Sequence, residues 1–448
     1  MFQQNKLKVA VIGSGVSGLV SAYTLQKKSM GLVQVSLIEA GAYFGGHAHT
    51  VDVHLDGKNF GVDTGFLVYN ERTYPGLIAL LDELGVKRAK SDMGFSVHAL
   101  ASSTTRELMW SGNNLNTVFA QRRHLLRPKF LGMLKDMLRF NRLCTQIAER
   151  GDEKQLRQSV GDFLCEQRLG RAFIEDYFLP MIGCIWSCPT EQMLAFPMST
   201  MIRFCHNHGL LQITQRPQWW TIEGGSRQYV TQILKHIDDA RLNTPVHSIR
   251  RLPDGVELET NMGHEYYDAV ICATHSDQAL RLLGTDATDA ERSVLGAIAY
   301  QSNRAVLHTD TLQMPRLKKV WSAWNYERDA AADAGRGHVC LHYWLNALQP
   351  LPTEQPIFVS LNPLREIDTA KVMASFEYEH PVFDEAAIAA QTRLPNIQGA
   401  ADAHGRTWFA GAWTCYGFHE DGLQSGLSAA EDVLHKLERL SVPAGQVA

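Results

Sequence analysis

An apolar run from Leu7 to Ile12, broken by Lys8 alone, opens the chain and stops at Gly13. A run with so little polar alternation fits a strand buried on both faces, as in a parallel sheet. Beyond the glycine the spacing changes, and Leu19, Val20, Tyr23 and Leu25 recur at helical intervals. A second apolar run, Val33–Ile38, ends in Glu39. Strand, turn, helix and strand in that order predict an α/β unit. Pro75 then opens a short helix through Leu77, Ile78, Leu81 and Leu84, which Gly85 ends. Residues 86–215 read mostly as helix. Further strands are expected at 268–274, at 305–308, 338–344 and 357–361, and at 407–410, before a last helix through Gly426, Leu427 and Ala430.

The glycines of the first turn carry the chemistry. Gly13, Gly15 and Gly18 fall at G-x-G-x-x-G spacing, with Ser14 and Ser17 between them. The first permits the turn, the second lets a pyrophosphate approach the backbone, and the third lets helix pack on strand, while N–H groups at the helix start face the phosphates. Glu39 follows the last glycine by about 20 residues, where a carboxylate grips a ribose diol and repels a 2′-phosphate. A dinucleotide with a free adenosine ribose is implied, and NADP is not. A second glycine pair, Gly45 and Gly46, lies between Ala40 and His47 and can bring backbone amides to phosphate or ring oxygens. Asp63, Thr64, Gly65 and Phe66 form an Asp-x-Gly turn soon after. Near the end, Gly411 and Ala412 precede His419, Glu420, Asp421, Gly422 and Leu423, where a helix start would aim its positive end at an electron-rich ring oxygen. No second fingerprint occurs in 207–275, so oxygen or a quinone is expected as final acceptor in place of a nicotinamide.

This order of motifs resembles the flavin-dependent amine oxidase and phytoene desaturase superfamily. The resemblance implies FAD and a glutathione-reductase/amine-oxidase-like α/β fold. Its Rossmann-type FAD-binding domain would be assembled from 1–75, 207–275 and 401–440, with an inserted α+β substrate domain from 76–206 and 276–400. It also implies cofactor contacts from the residues of the four motifs above, from Val246 in a strand beside the adenine, and from Ala273 and Thr274 at the end of a buried strand. His47 stands where the family usually has arginine. His419 stands where amine oxidases place an aromatic of the substrate cage, so proton transfer by His419, with Tyr416 and Trp413 flanking the ring, is the catalytic expectation; plain hydrogen bonding of His419 to the cofactor is the alternative. Cys415 is a further candidate, for covalent attachment to the ring. The wording His206-Asn-His-Gly-Leu-Leu, Arg216-Pro-Gln-Trp, Gly-Gly-Ser-Arg and Gly-Phe-His-Glu-Asp-Gly resembles a bacterial branch of flavoproteins associated with cyclopropane-fatty-acid-synthase-type methyltransferases. That branch implies a lipid acyl chain as substrate, a methylated unsaturated chain being dehydrogenated, and a methyltransferase as partner. An amine oxidase, a double-bond isomerase and a non-catalytic flavoprotein partner remain the competing readings.

Composition bounds the rest. The 448 residues need more than one core, and a formal charge of −4 gives no global field for nucleic acid. Charge is nonetheless local: between Arg122 and Arg142 seven Lys/Arg face one acid, Asp136, with Phe130, Leu131, Leu134, Met137, Leu138, Leu143 and Ile147 at helical spacing. This stretch, within 120–150, reads either as a helix docking on an anionic membrane surface or as a helix packed on its own domain with a solvated basic face. No signal peptide or spanning run is read, so a cytoplasmic protein, peripheral on the inner membrane face, is expected. Eight cysteines in this length read as thiols and not as a disulfide framework. Cys184, Cys188, Cys205, His206 and His208 lack the matched spacing of a zinc site, and no metal is expected.

Overall fold

The computed structural model describes residues 6–102, 106–152, 157–186, 190–212, 216–329 and 339–441. Strand β1 (Leu7–Ile12) is buried on both faces, with Val9 and Val11 in one hydrophobic core and Ala10 and Ile12 in another. Strand β2 (Val33–Ile38) pairs with it in parallel, Leu7 opposite Val33. Parallel neighbours need a crossover, supplied here by helix α1 (Val16–Lys28). The strands Ala269–Cys272 and Thr407–Phe409 extend the sheet on one side and Asp239–Arg241 on the other. All five run parallel, so the sheet gathers segments hundreds of residues apart, and its C-terminal edge collects their loops.

The C-terminal helix His419–Ser441 packs on α1 so closely that a side chain at Gly426 would collide with the Ser17 carbonyl, and Ser21 Oγ donates to the Gly426 carbonyl at 2.9 Å. Helix α2 (Pro75–Glu83) was expected in the inserted part, but its Leu77, Leu80 and Leu81 join the nucleotide-side core. It does so because Glu420, on the C-terminal helix, binds its N-terminal amides.

A second body is built on a seven-stranded sheet in the order Val372–Val382, Ala299–His308, Phe358–Leu361, Cys340–Trp344, Trp324–Arg328, Phe95–Ala99 and Leu108–Ser111. Only the pairing of Trp324–Arg328 with Phe95–Ala99 is parallel. Helices of 115–207, among them α3 (Leu115–Val118) and α4 (Pro128–Arg150), share one core with this sheet, in which Val97 and Trp110 meet Phe130, Phe140, Phe163 and Phe178. Residues 86–111 are therefore not helical as expected: Arg88–Ser91, Phe95–Ala99 and Leu108–Ser111 are strands of four or five residues, two of them paired with strands far along the chain. The expected strand at 305–308 begins earlier, at Ala299, and His338 lies outside the described residues. No helix among the described residues is long and apolar enough to cross a membrane.

Candidate functional site

One cavity of about 1560 Å³ runs from the C-terminal edge of the parallel sheet into the second body. At the sheet end, Gly13 takes φ +94°, open to glycine at little cost, and a side chain at Gly18 would collide with the Gly13 carbonyl, so both glycines are fixed by backbone approach. Gly15 meets nothing within 4 Å and faces the cavity at the start of α1, where helix amides are free. Glu39, at the end of β2, accepts from Ser14 N at 2.8 Å and Ser14 Oγ at 2.6 Å through one oxygen, and from Gly41 N at 2.8 Å through the other. A carboxylate has about four acceptor positions, so this tethering orients Glu39 and leaves capacity toward the cavity it lines. Gly45 N donates to the Ser14 carbonyl at 3.0 Å, which holds the second glycine pair against the first turn.

Of the residues singled out in the sequence, Gly13, Ser14, Gly15, Ser17, Glu39, Ala40, Gly45, Gly46, His47, Gly65, Phe66, Val246, Ala273, Thr274, Gly411, Ala412, Trp413 and His419 line this one cavity. Gly18, Asp63, Thr64, Glu420, Asp421, Gly422, Leu423, Tyr416 and Cys415 do not. The acids lie back from the wall, engaged by other protein groups. Asp63, 1% exposed, accepts from Thr50 Oγ1 at 2.6 Å, Ser226 N at 2.9 Å, Ser226 Oγ at 2.8 Å and Gln349 Nε2 at 3.0 Å, and burial pushes its carboxyl up to about 6. Thr64 bonds the Tyr378 hydroxyl at 2.8 Å. Glu420 caps α2 through Gly76 N at 2.8 Å and Leu77 N at 2.9 Å. Asp421 accepts from Phe418 N at 2.9 Å and is raised by burial to about 6. Gly422 faces Val16 and Ser17, and Leu423 joins the nucleotide-side core. Cys415, off the wall and with its thiol pushed up to about 12 by burial, is no candidate for attachment to the ring.

His419 is on the wall, but not as a titrating group. Its ring stacks on Phe66 at 3.8 Å between centroids, its Nε2 bonds the Tyr229 hydroxyl at 2.9 Å, and burial drives its pKa down to about 3. A ring this weakly basic is neutral near pH 7 and positions more than it transfers protons. Next to it stands a group that the sequence reading missed. Phe418 stacks on Phe204 at 4.6 Å, His208 stacks on Phe204 at 3.9 Å, and Tyr74 and Trp219 complete an aromatic floor. The sole signal was the pair Phe418-His419: had the helix start been placed, Phe418 and not Tyr416 would have faced inward. From this floor the cavity continues into a largely apolar arm past Met93, Phe95, Trp110, Met181 and Ile185 to Leu134, Met137 and Leu138 of α4.

Near the first turn, His47 Nε2 is buried without a hydrogen-bond partner, and its pKa is driven well below the usual imidazole range by burial and by His380, His275, His419 and His49 around it. His275 and His380 line the same wall, the latter with its ring 5.4 Å from His47. An orphaned donor or acceptor beside open backbone amides fits FAD: the turn of Gly13–Ser17 would hold its phosphates, Glu39 its ribose, and Gly411, Ala412 and Trp413 the ring.

Among the described residues, those weighed for metal form no ligand group. Cys205 and Cys184 are buried thiols raised by burial, His208 hydrogen-bonds the Phe204 carbonyl, and Cys188 lies outside the described residues. Elsewhere Glu327, Cys340 and His342 cluster, but Glu327 is engaged by His342 at 2.8 Å and by the Arg365 guanidinium at 2.9 Å, and a fixed cation there opposes a second.

The profile of the flavin-containing amine oxidoreductase family matches residues 16–434. Among solved structures, the chain is similar to a protein assigned as a protoporphyrinogen oxidase from Exiguobacterium sp. 255-15, with TM-score 0.68 and 16% identity over 96% of this chain and 99% of that one. A CLA-producing fatty acid isomerase from P. acnes matches with TM-score 0.66 and 14% identity over 99% of this chain and 100% of that one. Cyclohexylamine oxidase from Brevibacterium oxydans IH-35A matches with TM-score 0.66 and 15% identity over 97% and 100%. At these identities the likeness carries the fold alone. No curated protein sequence matches.

Proposed function

The chain belongs to the flavin-containing amine oxidoreductase family and is an FAD-dependent oxidoreductase; from that premise we propose that it dehydrogenates acyl chains of lipids. FAD, when bound in this cavity, would supply a two-electron acceptor for a hydride. The substrate would lose that hydride and, from the neighbouring carbon, a proton released to bulk water, and would gain a carbon–carbon double bond.

The observation that carries this reading is the length and lining of the cavity. A pocket for one drug-sized ligand measures about 300–1,000 Å³, and about 1560 Å³ leaves room for a cofactor and a second molecule end to end. Beyond the aromatic floor Met93, Phe95, Trp110, Leu134, Met137, Leu138, Met181 and Ile185 offer an apolar stretch that suits an acyl chain, beside the polar Asp92, Asn113, Asn114 and Asn141. Phe418, Phe204 and Trp219 would hold that chain across the ring and, with it in place, would shield the reacting carbon from water. His419, neutral through its burial and held by the Tyr229 hydroxyl, would keep its place beside the ring without contributing charge. A methylated unsaturated chain, the product of a lipid methyltransferase, fits the same arm and stays part of the proposal.

Lipid profiling of cells with and without the protein tests it. A change confined to unsaturated or branched acyl chains, with two hydrogens lost, is expected. An unchanged profile overturns the acyl reading, and a shifted double bond without hydrogen loss replaces dehydrogenation by isomerisation.

A further inference from the structure

Helix α4 does two things at once. Its Phe130, Met133, Phe140, Cys144 and Ile147 are buried in the core of the second body, while Leu131 and Leu138 are 42% and 51% exposed. They are not isolated. Leu125 and Leu126, one turn before α4, are 50% and 88% exposed, and Leu115 on α3 is 77% exposed. Scattered surface leucines are ordinary, but five within 115–138 form a concentration that folding leaves uncovered. Leu115 and Leu138, both exposed, also line the cavity together with Leu134, so the cavity reaches the surface within this patch.

The same segment carries the positive charge. Arg122, Arg123, Lys129, Lys135, Arg139 and Arg142 are exposed, and none enters an ion pair among the described residues. Arg123 is destabilised as a cation by partial burial and by repulsion from Arg127, Arg106 and Arg316, offset in part by Glu107, which pairs with Arg316. A protein of net charge −4 that gathers unpaired cations around bare leucines presents a surface complementary to an apolar layer faced with anions.

We propose that this face docks on an anionic phospholipid bilayer, its leucines entering the boundary between headgroups and acyl chains and its cations meeting lipid phosphates, so that the cavity mouth opens directly into the acyl layer. The inference deepens the acyl-chain reading, since a substrate too apolar to diffuse through water needs such an entrance.

Sedimentation of the intact flavoprotein with vesicles tests it, using phosphatidylcholine containing phosphatidylglycerol against phosphatidylcholine alone. Binding is expected to the first, at low salt, and to fall steeply with added salt. Each cation removed should weaken it about fivefold, so Lys129→Gln with Lys135→Gln and Arg139→Gln loses about a hundredfold. Leu126→Glu with Leu131→Glu, which lie off the cavity wall, should abolish binding while flavin content and visible spectrum stay those of the wild type. Failure of the wild type to bind anionic vesicles overturns the proposal without recourse to any variant, as does equal binding by the variants. A wild-type dimer that Leu126→Glu with Leu131→Glu separates, without vesicle binding, would assign the face to a second copy and overturn it too. The two readings fail separately. Vesicle binding with an unchanged acyl profile keeps the docking face and removes the substrate, and turnover of detergent-dispersed acyl chains without vesicle binding does the reverse.

Discussion

His419 and Tyr229 share a hydrogen bond sealed from solvent, and removing one partner leaves the other unsatisfied. Tyr229→Phe should therefore lower stability by about 1–3 kcal/mol with FAD retained, as thermal unfolding and flavin release will show. Tyr416→Phe should leave turnover within about twofold, because Tyr416 lies off the cavity wall; a large loss in steady-state rate would return it to the site. Buried histidines also set the pH profile. Burial drives His208 and His308 down to about 4 and His419 to about 3. As pH falls below about 6.5, the unfolded chain binds these protons and the fold does not, so each ring costs about 1.4 kcal/mol of stability per pH unit. Below about 6 the raised carboxyls of Asp63 and Asp421 bind protons in the fold and offset part of that loss. In the other direction His342, raised to about 9 by Cys340 and Glu327 against its burial, contributes stability that is lost as pH climbs through 9. Melting temperature should peak near about pH 6.5, fall steepest on the acid side just below it, and a profile flat from pH 5 to 9 would contradict these environments. At this scale the sequence was readable where chemistry is local. Gly13, Gly15 and Glu39 announce themselves by spacing, whereas the partners of Asp63 (Thr50, Ser226 and Gln349) and of Glu420 (Gly76 N and Leu77 N) could not be read, because they lie far away in sequence.

Elements show the same division. The carboxylate of Glu420 caps α2, whose N-cap residue, Tyr74, makes no side-chain bond of its own. Glu420→Ala leaves two amides unpaired and should cost about 1–3 kcal/mol, seen as a lower melting temperature, with FAD affinity nearly unchanged since the side chain does not reach the cavity. A matching loss of FAD would make Glu420 a ligand after all. Long periodic elements such as α1 and the runs flanking Gly13 were legible because their cores are continuous. The short strands Arg88–Ser91 and Phe95–Ala99 were not, since partners such as Trp219–Ile222 and Trp324–Arg328, which make them strands, are distant in sequence. Helix α4 packs on its own domain along one side of its apolar stripe, and the rest of the stripe remains bare.

For the whole molecule, function depends on two bodies contributing to one cavity. The sequence motifs pointed to many residues that line the sheet end of the cavity, among them Gly13, Gly15 and Glu39, but not to the aromatic floor of Tyr74, Phe204, His208, Trp219 and Phe418, because four separate segments converge there and no motif spans them. Obstructing the arm should then separate its two halves. Met181→Trp, well away from the first turn, should leave bound flavin and its spectrum intact while turnover of long acyl chains falls at least about tenfold; equal loss of flavin would mean that the arm is not a separate compartment. The measurement that reaches the central claim most directly is anaerobic mixing of the purified yellow protein with lipids bearing unsaturated or methyl-branched acyl chains, followed by flavin absorbance and product mass. The account predicts that the visible band bleaches and that the chain leaves two hydrogens lighter. A band that stays oxidised with every acyl lipid, yet bleaches at once with a small amine, would contradict it.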